Sequence, residues 1–218
     1  MIHALLLALI LLCTAGLHAQ STPQLTSQEF AQASATEKRA LLRALFERKI
    51  PIDTGQLVDT IRVAAGDADA RIRQQALVTL TGRSVGLLLS KGRNAMGDWI
   101  QERPAILQLR PMIERALADG DGNVRASAVA ALQAIDFDGI QPLGRQLSPE
   151  TASALASRYG VETFVEARRT IIQVLSGGAA SSAVARQTVM AATRDPEPTI
   201  RELARRALAD SGSPTPRP

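Results

Sequence analysis

Three stretches of the chain share one ungapped spacing. Asp67–Leu80, Asp119–Leu132 and Asp195–Leu208 each read as an aspartate, four variable residues, Ile or Val, an arginine, two variable residues, an alanine, three variable residues and a leucine. On a helix the branched residue, the alanine and the leucine step by four positions and drift only about 40° per step, so each stretch predicts one narrow apolar stripe. Those stripes are Ile72, Ala76 and Leu80, then Val124, Ala128 and Leu132, then Ile200, Ala204 and Leu208. A small residue in mid-stripe lets another helix approach closely, and repetition of the unit makes its neighbours other copies of itself. The expectation is an all-α chain, an α-solenoid built as a superhelical stack of antiparallel helix pairs.

The acid that opens each stretch suits a helix N-cap and complements the positive end of the helix dipole. The acids and arginines together read as caps plus a ladder between adjacent repeats. Around the three stretches the pattern predicts about five to six helix pairs over residues 26–210. A run from Thr36 buries Leu41, Leu42, Leu45 and Phe46 and stops before Pro51, and a helix over 55–65 ends at Gly66. Ser148-Pro149-Glu150 opens a further helix ending near Gly160, and 161–175 forms another, on which Glu162, Glu166, Arg168 and Arg169 read as a solvated charged face. Residues 81–103 carry Gly82, Gly86, Gly92 and Gly97 and read as an irregular insertion, because 52 positions separate Asp67 from Asp119. DFDGIQPLG at 136–144 reads as a loop, and 211–218 as a Pro-rich tail.

Leu109–Leu132, LRPMIERALADGDGNVRASAVAAL, has Pro111 eight residues before Asp119, where it should kink the first helix of the central pair, which is expected over 104–118. That combination resembles a HEAT repeat, and also the related repeats of bilin-lyase-like proteins. The other two copies match in the second helix and lack the proline. The resemblance implies a solenoid used mainly to bind other macromolecules.

Ala4–Leu12 is a continuous apolar run, residues 1–20 contain no Lys, Arg, Asp or Glu, and small residues follow up to Ala19. Residues 1–19 therefore read as a secretory signal peptide cut after Ala19, with 20–25 a short leader, which places the mature protein in the periplasm or outside the cell. Retention as an uncleaved membrane anchor is the alternative. His3, Cys13 and His18, the whole histidine and cysteine content, lie inside that segment. A mature chain without them has no disulfide, no thiolate nucleophile, no histidine base and no zinc site built on imidazole or thiolate. Of the 25 cations 22 are arginines, yet one Trp, one Tyr and four Phe offer little for base stacking, which argues against nucleic acid as partner.

Two chemical motifs fail on inspection. GLLLSKG at 86–92 has the wrong order for a phosphate loop. DGDGN at 119–123 begins like a calcium loop, but Val124 and Ala130 stand where that loop needs glycine and a bidentate glutamate. No catalytic residue, cofactor or metal site is assigned. The function expected is a non-enzymatic exported scaffold for a protein partner in the cell envelope. Helical phase nominates Arg71, Gln75, Ser127, Leu203 and Arg206 as partner contacts. Two other readings stand beside it. One is an anion-binding surface for lipid head groups, polysaccharide or nucleic acid, using Arg83, Lys91, Arg93, Arg103 and Arg110; the other is a lyase-like enzyme with a site in 81–103 that needs neither His nor Cys.

Overall fold

The computed structural model describes residues 25–89, 95–136 and 147–212, with side chains for all of these except 83–89, 95–100 and 211–212. Residues 1–24, which include the stretch read as a signal peptide, Lys91, Arg93, residues 137–146, which include most of the stretch read as a loop, and residues 213–218 lie outside the described residues. Eleven helices occur among the described residues, with no strand: α1 Ser27–Gln32, α2 Ala35–Phe46, α3 Thr54–Ala65, α4 Ala70–Leu89, α5 Ala95–Leu107, α6 Arg110–Ala116, α7 Gly122–Asp136, α8 Pro149–Tyr159, α9 Val165–Gly178, α10 Ala183–Ala192 and α11 Pro198–Gly212. None is long and apolar enough to cross a membrane.

The helices pair in chain order, with α5 and α6 together forming the first half of the central pair. The second helices pack side by side in the order α2, α4, α7, α9, α11, while α1 packs on α3, α3 on α5 and α6, and α8 on α10. The fold is thus a two-layered helical repeat of five pairs among the described residues. Its core is continuous, and the stripe residues Ile72, Ala76, Leu80, Val124, Ala128, Leu132, Ile200 and Ala204 are all at most 1% exposed. Side-chain caps start the helices where the chain supplies Ser, Thr or Asp: Thr26 and Ser34 form capping boxes with Glu29 and Glu37, while Asp53, Ser148 and Ser182 each accept one backbone N–H.

Several expectations need correction. Residues 81–89 are not an insertion but the last turns of α4, and α5 occupies all of 95–103, so the described part of the long spacing from Asp67 to Asp119 is mostly helical. Pro104 sits inside α5 and Pro111 in the first turn of α6. The break falls between them at Gln108 and Leu109, because Pro111 is tolerated only where no intrahelical N–H is required. Phe46 is not buried: it is 44% exposed and lies over Gly82, where an added Cβ would come within 2.2 Å of its ring. The helix expected over 161–175 begins at Val165, leaving Glu162 in the preceding turn, and it runs on to Gly178. Glu162 is not solvated but 5% exposed.

Candidate functional site

In four of the five pairs, all but the first, the turn between the helices is built on a side-chain carboxylate that accepts a backbone N–H of its own turn. Asp67 Oδ1 accepts from Asp69 at 2.9 Å, Asp119 Oδ1 from Asp121 at 2.8 Å, Glu162 Oε1 from Phe164 at 2.8 Å and Asp195 Oδ1 from Glu197 at 2.8 Å. A cation from the preceding second helix then closes on each acid. Lys38 Nζ lies 2.8 Å from Asp67, Arg73 holds Asp119 at 2.7 and 2.8 Å, and Arg125 holds Glu162 at 2.7 and 2.8 Å. Arg168 reaches Asp195 less tightly, at 3.2 Å from Nε and 3.4 Å from Nη2, and its Nε makes no proper hydrogen bond.

The same arginines tie down their own turn. Arg73 Nη1 donates to the carbonyls of Asp67 and Ala68, Arg125 Nη1 to those of Asp119 and Gly120, and Arg201 Nη1 to those of Asp195 and Pro196. The Arg73 and Arg125 rungs therefore each weld two turns together, and Arg168, whose Nη1 reaches the carbonyls of Glu162 and Thr163 at 3.5 and 3.4 Å, does so more loosely. The charges follow suit: hydrogen bonding from Lys38 holds the Asp67 carboxyl below the usual range, and Arg73 does the same for Asp119. Burial pushes Glu162 up, but hydrogen bonds from Arg125, Arg158 and the Phe164 N–H outweigh it and bring the carboxyl to about 2. These acids are fixed structural anions, and among the described residues no group of His, Cys, Asp or Glu is placed to hold a metal ion.

With the ladder on one flank and the stripe in the core, the seventh, eighth and eleventh positions after each ladder acid are left facing solvent on the layer of second helices. All of them but Gln75 line two open depressions. The first, of about 460 Å³, is formed by α4 and α7 with Thr170 of α9; its apolar floor is Phe46, Val78, Gly82, Ala126 and Ala130, edged by Gln74, Asn123 and Ser127. The second, of about 580 Å³, lies between α9 and α11 and is charged, with Arg169, Glu202 and Arg206 around Gln173 and Leu203. Arg206 pairs there with Glu202 at 2.8 Å.

The five nominated contact residues distribute unevenly. Ser127 edges the first depression, and Leu203 and Arg206 line the second. Arg71 is exposed and Gln75 half-buried on the same helix, and neither lines a depression. Phe46, Val78 and Ala130 were not nominated. The signal for Val78 and Ala130 was their place eleven positions after the acid, the place Arg206 takes in the last repeat.

The nominated anion patch does not assemble. Arg110 is neutralised: it pairs with Asp136, lies 3.5 Å from Glu114 and donates to Thr151 Oγ1 at 2.9 Å. Asp136 also accepts the Ser148 N–H at 2.9 Å, so this arginine locks the ends of α7 and α8 instead of facing solvent. Arg103 is half-buried with its Nε unbonded, the Arg83 side chain is not among those described, and Lys91 and Arg93 lie outside the described residues.

No protein-family model matches the chain, and no curated protein matches it either. Among solved structures, one described as a crystal structure of computationally designed armadillo repeat proteins for modular peptide recognition is similar at 15% identity and a TM-score of 0.36, over 84% of this chain and 97% of that one.

Proposed function

We propose that the chain is a non-enzymatic HEAT-type scaffold, exported to the cell envelope or beyond, that holds a segment of a protein partner against the solvent face of its second helices. The observation that carries this reading is the contrast between two sets of positions in the same repeat. Ladder and stripe positions keep their chemistry from copy to copy, while the seventh and eleventh positions change from Gln74 and Val78 to Ala126 and Ala130, then Arg169 and Gln173, then Glu202 and Arg206. A constant frame that presents a varied row of side chains suits recognition of a partner's side chains better than it suits chemistry. The uncharged depression over Phe46 fits an apolar side chain, and the charged one fits a polar stretch of mixed sign.

The HEAT assignment is supported by the block around Pro111 and by a first helix in two pieces at that place. Export is supported by the apolar run at the N-terminus. Ala130→Trp fills the uncharged depression and touches neither ladder nor core, so it should lose partners that the wild type retains from an envelope extract while melting at the same temperature. Equal recovery of the same proteins by both would remove the groove from consideration. N-terminal sequencing of the protein from the native organism should begin at Gln20; a chain still carrying Ala4–Leu12 would replace export with anchoring.

A further inference from the structure

Among the described residues the last rung of the ladder is unfilled. Arg201 occupies the place of Lys38, Arg73, Arg125 and Arg168, six positions after the acid of its repeat. Its Nη1 is fixed by the carbonyls of Asp195 and Pro196 at 2.7 and 2.8 Å, as the Nη1 of Arg73 and Arg125 is fixed in their own turns. In those two arginines the remaining Nε and Nη2 grip a carboxylate of the next turn; in Arg201 they have no partner among the described residues. Four positions on, the internal repeats bury Leu42, Leu77, Val129 and Ile172, each 0% exposed, against their neighbour. The last repeat has Arg205 there instead, and it is exposed. Residues four apart share a helix face, so the last repeat has two arginines on a face where each internal repeat has one paired cation and one buried apolar residue.

We propose that this end face binds an acidic turn of a partner protein, with an Asp or Glu carboxylate entering the Nε and Nη2 fork of Arg201 and Arg205 adding attraction. A planar fork with one arm already immobilised loses little freedom on taking a carboxylate, and the chain repeats that geometry internally. A further copy of the same protein is a poor occupant. Its leading turn has Gln32 where the internal repeats have Asp67, Asp119, Glu162 and Asp195, and the nearby Glu37 is engaged in capping Ser34. Neither Arg201 nor Arg205 lines either depression.

The test is a titration of the full chain, labelled with nitrogen-15, following the Arg201 Nε–H resonance assigned through Arg201→Lys. The probe is an acetylated, amidated copy of residues 118–123, the turn that Arg73 grips within the chain, and the control has both aspartates replaced by asparagine. The resonance should move saturably with the acidic peptide, stay in place with the control, and lose its response as salt is added. Arg205→Glu leaves the carbonyl bonds of Arg201 in place and should weaken binding about tenfold, and Ala130→Trp should leave the titration unchanged. A resonance that ignores the acidic peptide, or follows the control equally, overturns the proposal. So does concentration-dependent self-association in sedimentation that Arg201→Gln abolishes, because the occupant would then be a second copy.

Discussion

Arg125 closes both arms of its guanidinium on the Glu162 carboxylate, Nε to Oε2 at 2.8 Å and Nη2 to Oε1 at 2.7 Å, across 37 positions of sequence. The Glu162 side chain is 0% exposed, and Arg158 adds a third charged bond at 2.9 Å. Water contributes little at such a site, so the pair matters mainly through what is left behind when one member is lost. Arg125→Leu should destabilise the protein by about 3–5 kcal/mol, because it takes two of three charged bonds from a buried carboxylate and strands two turn carbonyls. Arg62→Leu, which breaks an exposed pair with Asp59, should cost less than about 1 kcal/mol. Urea denaturation of both variants checks this, and similar midpoints would refute the weight placed on the rung.

Acid should attack the same rung. The Glu162 carboxyl is drawn from an ordinary 4.5 down to about 2 in the folded chain, so folding favours its ionised form. Its contribution, on the order of 3 kcal/mol, is therefore whole above about pH 4.5 and is lost as pH falls toward 2. Asp67 and Asp119 are lowered as well and steepen the loss in the same direction. In Glu162→Gln the acid limb of a stability-versus-pH curve should be flatter than in the wild type. Parallel limbs would show that Glu162 titrates alike in both states.

Much of this frame was legible because three repeats spell it with the same letters. The fourth escaped notice although its spacing is identical: Glu162, Ala167, Arg168, Ile171 and Leu175 stand where Asp119, Val124, Arg125, Ala128 and Leu132 stand. Glutamate replaces aspartate, and the large and small stripe residues have changed places, which conserves volume across the seam but hides the pattern from a search by residue type. The first repeat is fainter still, with Gln32 for the acid and Lys38 for the arginine. Phe46 was misplaced for a different reason. Its own helix offers it to the core, but the second helix beside it presents Gly82, and a ring set against that glycine stays at the surface. No periodicity within one helix carries that information.

The stripe sets a second stability contrast. Leu132 is 0% exposed at the junction of repeats, whereas Ser127, five positions earlier on the same helix, faces the groove. Leu132→Ala should cost about 2–5 kcal/mol and Ser127→Ala no more than about 0.5 kcal/mol. Equal thermal shifts would mean that the two residues do not lie on opposite faces.

Two glycines of one turn should respond in opposite ways. A Cβ at Gly122 would meet the Phe164 ring at 2.4 Å, while one at Gly120 meets nothing within 4 Å. Phe164 is half-buried and its backbone is tied to Glu162, so the ring has little room to retreat. Gly122→Ala should destabilise by about 1–3 kcal/mol despite the helical preference of alanine, and Gly120→Ala should be close to neutral. Calorimetry of the pair decides it; two neutral variants would mean that the ring moves aside freely.

The only tyrosine supplies an optical probe of the last rung. Tyr159 donates its hydroxyl to Asp195 Oδ2 at 2.6 Å, beside the loosely held Arg168. Burial first, and then the bond to this carboxylate, raise the phenol well above its ordinary value of 10, since ionisation would set two anions against each other. A phenol harder to ionise when folded stabilises the protein fully below about pH 10, and that stabilisation is lost as pH rises further. Phenolate absorbance should therefore stay low through pH 10 to 11 in the folded chain and emerge together with the loss of helical circular dichroism. In urea the same band should titrate near pH 10. Smooth ionisation near pH 10 with the helices intact would show that the hydroxyl is free of Asp195 and that this rung is held by Arg168 alone.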